Sequence, residues 1–229
     1  MSDSRVSARS RRGFRIVLIL GVFAALVSWR LVPRPERFGL ATIVDGPAPN
    51  DASGVIVFLH GLGRGFGEGR DVAGRLRRAG LPADISIVLV RAPYGFGFFG
   101  YSWGDTPEER TRSRDRLRKV LRDLPPRDHV VLAGFSQGAT IALDTATEEP
   151  RIGAVASLSP CYSEKRGDLP NRDLQFLLAH GTRDSVCPIE ESRSLAKVLG
   201  HESTRYIEFD GEHEMPAEVI DALVAFAAR

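Results

Sequence analysis

From about residue 38 to the end of the chain, short runs of consecutive apolar residues alternate with longer stretches in which apolar residues recur every three or four positions. The first pattern reads as buried strand and the second as amphipathic helix. The predicted strands are "FGLATIV" (38–44), "GVIVFLHG" (54–61), "ISIVLVRAP" (85–93), "HVVLAGF" (129–135), "GAVASLSP" (153–160), "LQFLLAHG" (174–181) and "TRYIEFDG" (204–211). Helices are predicted from about Asp71 to Ala79, over 106–124 and 137–149, from Ile189 to Leu199 and from Pro216 to Ala228. The segment 106–124 carries the clearest start signal. Thr106 is its N-cap, Pro107 takes the first turn and Glu109 closes a capping box. Leu117, Val120, Leu121 and Leu124 form its apolar stripe. Strands that are apolar throughout need cover on both faces, so the pattern implies an α/β fold with a mainly parallel sheet between helices. No long insertion separates the strands at 153–160 and 174–181, so no large lid is expected.

A different pattern occupies the N-terminus. "SRRGFRIVLILGVFAALVSWRLVPRP" leads from arginines into an apolar run from Ile16 to Trp29, with prolines behind it. That run is shorter than the ~20 residues of a comfortable membrane span. Arg15 and Arg30 can lengthen it by snorkelling, with Trp29 at the interface. Residues 1–37 are therefore expected to be an uncleaved signal anchor, or a cleaved signal peptide, with a linker, ahead of a folded domain at 38–229. Ser10-Arg11-Arg12-Gly13-Phe14 also resembles a twin-arginine export signal. The arginine excess would hold the N-terminus in the cytoplasm and place the domain outside, membrane-anchored, or secreted or periplasmic if the segment is cleaved.

The charge balance sharpens this division. Eight arginines against Asp3 and Glu36 put +6 on residues 1–37, so the remaining residues carry −4 out of a total of +2. The domain itself therefore presents no global basic field, and nucleic acid is not an expected partner. Cys161 and Cys187 are too few for a disulfide scaffold, and no His/Cys spacing suggests a metal site.

Chemistry is expected where strands end, and one junction stands out. "GFSQG" puts Ser136 after the strand at 129–135 and before the helix at 137–149, with Gly134 and Gly138 two residues to either side. A sharp strand-turn-helix elbow strains the serine backbone and leaves no room for side chains at those flanking positions. Such a serine needs a base, and the base needs an orienting acid, each expected after a later strand. "LLAHGTRDSVCP" offers Asp184 as acid and "IEFDGEHEMP" offers His213 as base. His129, His180 and His201 read as structural. Two N–H groups are needed for the oxyanion. Gln137, next after the serine, offers one. The glycine-rich loop "HGLGRGFGEG" offers the other at Leu62, with His60 bracing the loop rather than reacting.

The segments "HGLG", "GFSQGA", "HGTRDSVCP" and "DGEHEMP", in this order, resemble the phospholipase/carboxylesterase group of α/β-hydrolases, which includes acyl-protein thioesterases. The likeness covers roughly residues 53 to 229. It implies the α/β-hydrolase fold, a mostly parallel sheet of about seven or eight strands. It also implies a Ser-His-Asp triad that hydrolyses carboxylic esters or thioesters without metal or other cofactor. The substrate would be a small-molecule or acyl-chain ester. A peptidase or amidase on the same triad, or a silent binding protein that keeps the fold, are the rival readings. An export segment departs from the usual cytosolic members of the group.

"RAPYGFGFFGYSWGD" resembles the family's Pro-rich loop that ends in tryptophan. Its Phe96, Phe98, Phe99, Tyr101 and Trp103 are expected to line an acyl pocket, or else to fill core beneath the loop. The basic residues Arg110, Arg112, Arg114, Arg116, Arg118, Lys119 and Arg122 read as a solvated helix face. In the hydrolase topology Cys161 and Cys187 fall in loops at the same sheet edge, so a disulfide between them is possible, as are two free thiols.

Overall fold

The computed structural model describes residues 39–98, 100–124, 130–161, 174–200 and 202–228. The apolar runs form β1 (Thr42–Asp45), β2 (Gly54–Leu59), β3 (Ile85–Val90), β6 (Val130–Phe135), β7 (Ala154–Leu158), β8 (Gln175–Gly181) and β9 (Thr204–Phe209). They make one seven-stranded sheet in the order β1-β3-β2-β6-β7-β8-β9. β1 runs antiparallel to β3, and every other neighbour is parallel. The helices are α1 (Phe66–Arg78), α2 (Pro107–Asp123), α3 (Gln137–Glu148), α4 (Ile189–Leu199) and α5 (Ala217–Ala227).

Alternate residues of the central strands divide the core into two layers. Val55, Val57 and Leu59 of β2 join Val88 and Leu132 on one face, where Leu117, Ile141 and Leu195 of α2, α3 and α4 cover them. Ile56 and Phe58 join Ile87, Leu89 and Leu177 on the other, under Val72 and Leu76 of α1 and Val219 and Leu223 of α5. This is why β2, β3 and β6 carry no polar alternation: both faces lie under helices and every position is buried. α3 crosses the middle of the first layer and buries nine residues, Gly138 to Ala146.

Three local outcomes differ from the sequence pattern. α1 begins at Phe66, ahead of the expected Asp71, and runs through Gly67 and Gly69. Helix propensity argues against those glycines, but the helix lies so close to the sheet that a Cβ on Gly69 would stand 3.2 Å from Leu89 Cδ2. A hairpin of β4 (Tyr94–Phe96) and β5 (Gly100–Ser102) occupies the aromatic loop. Arg114, expected on a solvated face, is buried, its Nη1 3.7 Å from Asp144 Oδ2. Arg114 stands three residues before Leu117 on the helix face that packs on α3, so its place on the buried stripe overrides the preference of its charge for solvent. The Thr106–Glu109 capping box forms, with both reciprocal hydrogen bonds present.

The segment read as signal anchor, 1–37, lies outside the described residues, as does the connection 162–173. Among the described residues no helix is long and apolar enough to cross a membrane.

Candidate active site

β6 is the middle strand of the sheet, and the chain turns directly from its last residue into α3. Ser136 occupies that turn with φ 54° and ψ −123°, a left-handed backbone that L-residues disfavour and that persists only when its surroundings enforce it. Its N–H donates to Leu158 O of β7 at 2.9 Å. A Cβ on Gly134 would stand 2.3 Å from Gly138 O, and one on Gly138 2.3 Å from Leu59 O. The two glycines thus let α3 start against the ends of β2 and β6 and leave the Ser136 side chain facing a cavity of about 340 Å³.

Asp184 and His213 sit in the loops after β8 and β9, at the same edge of the sheet. His213 Nδ1 donates to Asp184 Oδ2 at 2.7 Å. The other carboxylate oxygen accepts the N–H groups of Val186 at 2.9 Å and Cys187 at 2.8 Å. The Asp184 side chain is fully covered. Burial works to raise its carboxyl, but the Cys187 N–H, the His213 ring and the Val186 N–H together outweigh it and hold the group below its ordinary value. Asp184 is therefore an ionised acceptor that fixes the His213 ring. Nδ1 is committed to Asp184, so Nε2 is the nitrogen left for chemistry. The ring lies tilted against Phe135, with centroids 4.8 Å apart, and it lines the same cavity as Ser136.

Leu62 and Gln137 also line that cavity. Gln137 is the first residue of α3, where helix geometry gives the backbone N–H no carbonyl partner within the helix. Its side chain is occupied elsewhere, accepting from Trp103 N at 2.9 Å and donating to Gly104 O at 3.2 Å. The loop at Leu62 is held on both sides. The Gly61 N–H donates to Glu68 Oε2 at 2.6 Å, and the Gly63 N–H to Tyr101 O at 2.9 Å. His60 completes the arrangement. Burial pushes its pKa down to about 4, so the ring is neutral near pH 7. Nε2 accepts from Ala92 N at 3.0 Å, which leaves Nδ1–H to donate to Gly61 O at 2.7 Å.

The aromatic loop takes a different part from an acyl wall. None of Phe96, Phe98, Tyr101 and Trp103 lines the cavity around Ser136, and Phe99 lies outside the described residues. Trp103 is fully buried and donates its indole N–H to His60 O at 2.8 Å, so it fills core beneath the glycine loop. Tyr101 pairs with Arg64 across an isolated bridge and lies under the Arg91 guanidinium. Phe96 covers Gly63, and both Phe96 and Phe98 are exposed on the hairpin. The hairpin therefore buttresses the loop that carries Leu62. The apolar rim of the cavity is Leu62 and Val186 instead.

Cys161 and Cys187 are joined in a disulfide, their Cα atoms 4.5 Å apart. The bond links the end of β7 to the loop of Asp184, and Cys161 forms part of the cavity wall, with Sγ 4.0 Å from Ser136 Oγ. His180 supports the same loop from below, bonded to Ser192 Oγ at 2.7 Å and Cys187 O at 2.9 Å. Two further cavity residues, Arg64 and Glu68, escaped the sequence reading because the glycines around them suggested an open loop.

The family profile for phospholipase/carboxylesterase matches residues 108–226. Acyl-protein thioesterase 1 of Emericella nidulans is 28% identical over 199 residues, spanning 70% of this chain and 82% of that protein. Among solved structures, the esterase PE8 superposes with a TM-score of 0.69 at 24% identity, over 82% of this chain and 98% of that one. Acyl-protein thioesterase 2 of Zea mays superposes with a TM-score of 0.66 at 21% identity, over 83% and 98%. At these identities the two structures establish the α/β-hydrolase fold.

Proposed function

Because this chain belongs to the phospholipase/carboxylesterase family, we propose that it is a serine hydrolase that cleaves carboxylic esters or thioesters through an acyl-enzyme on Ser136. The observation that carries this reading is the 2.7 Å bond from His213 to a buried Asp184, with His213 facing the cavity into which the Ser136 elbow opens. In the first step Ser136 Oγ attacks the acyl carbon and His213 Nε2 takes its proton. The Leu62 and Gln137 N–H groups hold the oxyanion of the tetrahedral intermediate. His213 then returns the proton to the departing alkoxide or thiolate. Water enters, gives a proton to His213 and attacks the acyl carbon, and His213 passes that proton to Ser136 Oγ as the acyl–oxygen bond breaks and the acid departs.

Leu62 and Val186 at the cavity rim support an apolar acyl group beside the serine. The Cys161–Cys187 bond supports residence in an oxidising location outside the cytoplasm, which agrees with the charge distribution of residues 1–37. The test is labelling with a fluorophosphonate probe followed by peptide mapping. The reading expects the adduct on Ser136. An unlabelled protein, or an adduct elsewhere, overturns it.

A further inference from the structure

Glu68 is the third residue of α1 and lies in its first turn. A glutamate there ordinarily bends back to the N–H of the N-cap residue, which here is Gly65. Glu68 reaches four residues further. Its Oε2 accepts the Gly61 N–H at 2.6 Å, and its Oε1 lies 3.7 Å from Arg64 Nε. The side chain is only 14% exposed and borders the same cavity as Ser136, Leu62 and His213. Burial pushes its carboxyl above the ordinary value, against the Gly61 N–H and the nearby Arg64 and His213. A carboxylate is an adverse neighbour for a developing oxyanion, so its place in this cavity calls for a compensating role.

The bonding of the loop supplies one. The Leu62 N–H belongs to the peptide that begins with the Gly61 carbonyl, and that carbonyl is held by His60 Nδ1–H at 2.7 Å. The peptide before it is held through Gly61 N–H by Glu68, and the peptide after it through Gly63 N–H by Tyr101. Three successive peptides are thereby oriented by three different residues, His60, Glu68 and Tyr101. Glu68 is the one among these partners that belongs to a helix and lines the cavity itself.

We propose that Glu68 is a positioning residue: its carboxylate clamps Gly61 so that the Leu62 N–H points at the oxyanion formed on the substrate of Ser136. This rests on the reading of Ser136 as nucleophile and Leu62 as oxyanion donor. Without the clamp, Gly61 N–H is free to turn and the loop between His60 and Gly63 gains alternative orientations. The loss falls on the transition state, because the ground-state carbonyl gains little from the donor.

The experiment measures kcat and KM of the full chain on a 4-nitrophenyl ester for wild type, Glu68→Ala and Glu68→Gln, with thermal melts of all three. Glu68→Gln keeps an oxygen acceptor for Gly61 and loses the charge. The proposal expects Glu68→Ala to lower kcat about ten- to a hundredfold with KM little changed. It expects Glu68→Gln to stay within about threefold of wild type, since a neutral acceptor bonds more weakly but in the same place. Equal losses in both variants would assign the effect to charge and overturn the clamp. Unchanged kcat in Glu68→Ala, or a change confined to KM, also overturns it, and the melts and the Gln variant separate a folding defect from either outcome. Fluorophosphonate labelling of wild type keeps the two readings apart. If Ser136 labels and the Glu68 variants are indifferent, only the clamp fails; if Ser136 does not label, both readings fall together.

Discussion

Gly138 lies so close to Leu59 that a methyl group on its α-carbon would stand 2.3 Å from the Leu59 carbonyl oxygen. The contact sets how near α3 can start to the end of β2, and Ser136 sits in the turn that this approach forms. Backbone cannot yield as a flexible side chain can, so Gly138→Ala must push the helix away. We expect it to destabilise the protein by about 1–3 kcal/mol and to cut ester turnover, because the Ser136 elbow shifts with the helix. Gly67, in α1, is the matched control, since a Cβ there meets nothing within 4 Å. Gly67→Ala should be neutral or stabilise by about 0.4–1 kcal/mol through the unfolded chain. Denaturant midpoints of the two variants check the contrast, and equal effects would show that the close approach is not what matters.

His60 predicts an acid limb in stability. Its folded-state pKa is lowered to about 4 from 6.5, burial being the main cause and Arg91 adding to it. Between those values the unfolded chain binds a proton that the folded chain does not, so stability is full above about pH 6.5 and falls as pH drops towards 4. At about 1.4 kcal/mol per pH unit, the loss is on the order of 3 kcal/mol. His60→Gln cannot titrate. Its stability should be lower near pH 7, where the bonds to Ala92 and Gly61 are weakened, and should fall less steeply below pH 6.5. Urea unfolding at several pH values measures both slopes, and parallel curves would remove His60 as the source.

The Cys161–Cys187 bond closes a sequence separation of 26 residues around the strand β8 and the Asp184 loop. Its loss should destabilise by about 3 kcal/mol. Activity should fall as well, since Asp184 takes its two N–H bonds from Val186 and Cys187 itself. Non-reducing intact mass should lie two hydrogens below that of the reduced chain, and a Cys187→Ala variant should melt lower and turn over ester more slowly. Two thiols open to alkylation without reductant, in protein from its native compartment, would contradict the bond.

What could be read from sequence was whatever depends on near neighbours or chain order. Gly134, Ser136 and Gly138 announce an elbow through their spacing: the clash Gly134 avoids, with Gly138 O, is local, although the one Gly138 avoids is with Leu59 of β2. The seven apolar runs announce a sheet buried on both faces, because burial removes the polar alternation. Asp184 and His213 are read from their places after later strands; the structure bonds His213 to Asp184 and puts His213 on the cavity that Ser136 lines. What escaped depends on packing between distant segments. Arg114 stands three residues before Leu117 and seven before Leu121, so its helical position puts it on the buried stripe; its charge is what suggested a solvated face, and Asp144 of α3 stands opposite it. For Trp103 the sequence leaves pocket wall and core beneath the loop both open, and its bond to His60 O, which belongs to a distant segment, decides for core. Glu68 was hidden because Gly67 and Gly69 concealed the start of α1, and no local signal tells that its carboxylate reaches Gly61.

The central claim is that Ser136 and His213 act as one catalytic unit. The most direct measurement compares kcat/KM on a 4-nitrophenyl ester for wild type, Ser136→Ala, His213→Ala and the double variant. Residues that act together lose their effect together, so each single change should cost about 10⁴- to 10⁶-fold and the double change little more than Ser136→Ala alone. Turnover by Ser136→Ala within about tenfold of wild type, or losses that multiply in the double variant, would contradict the account.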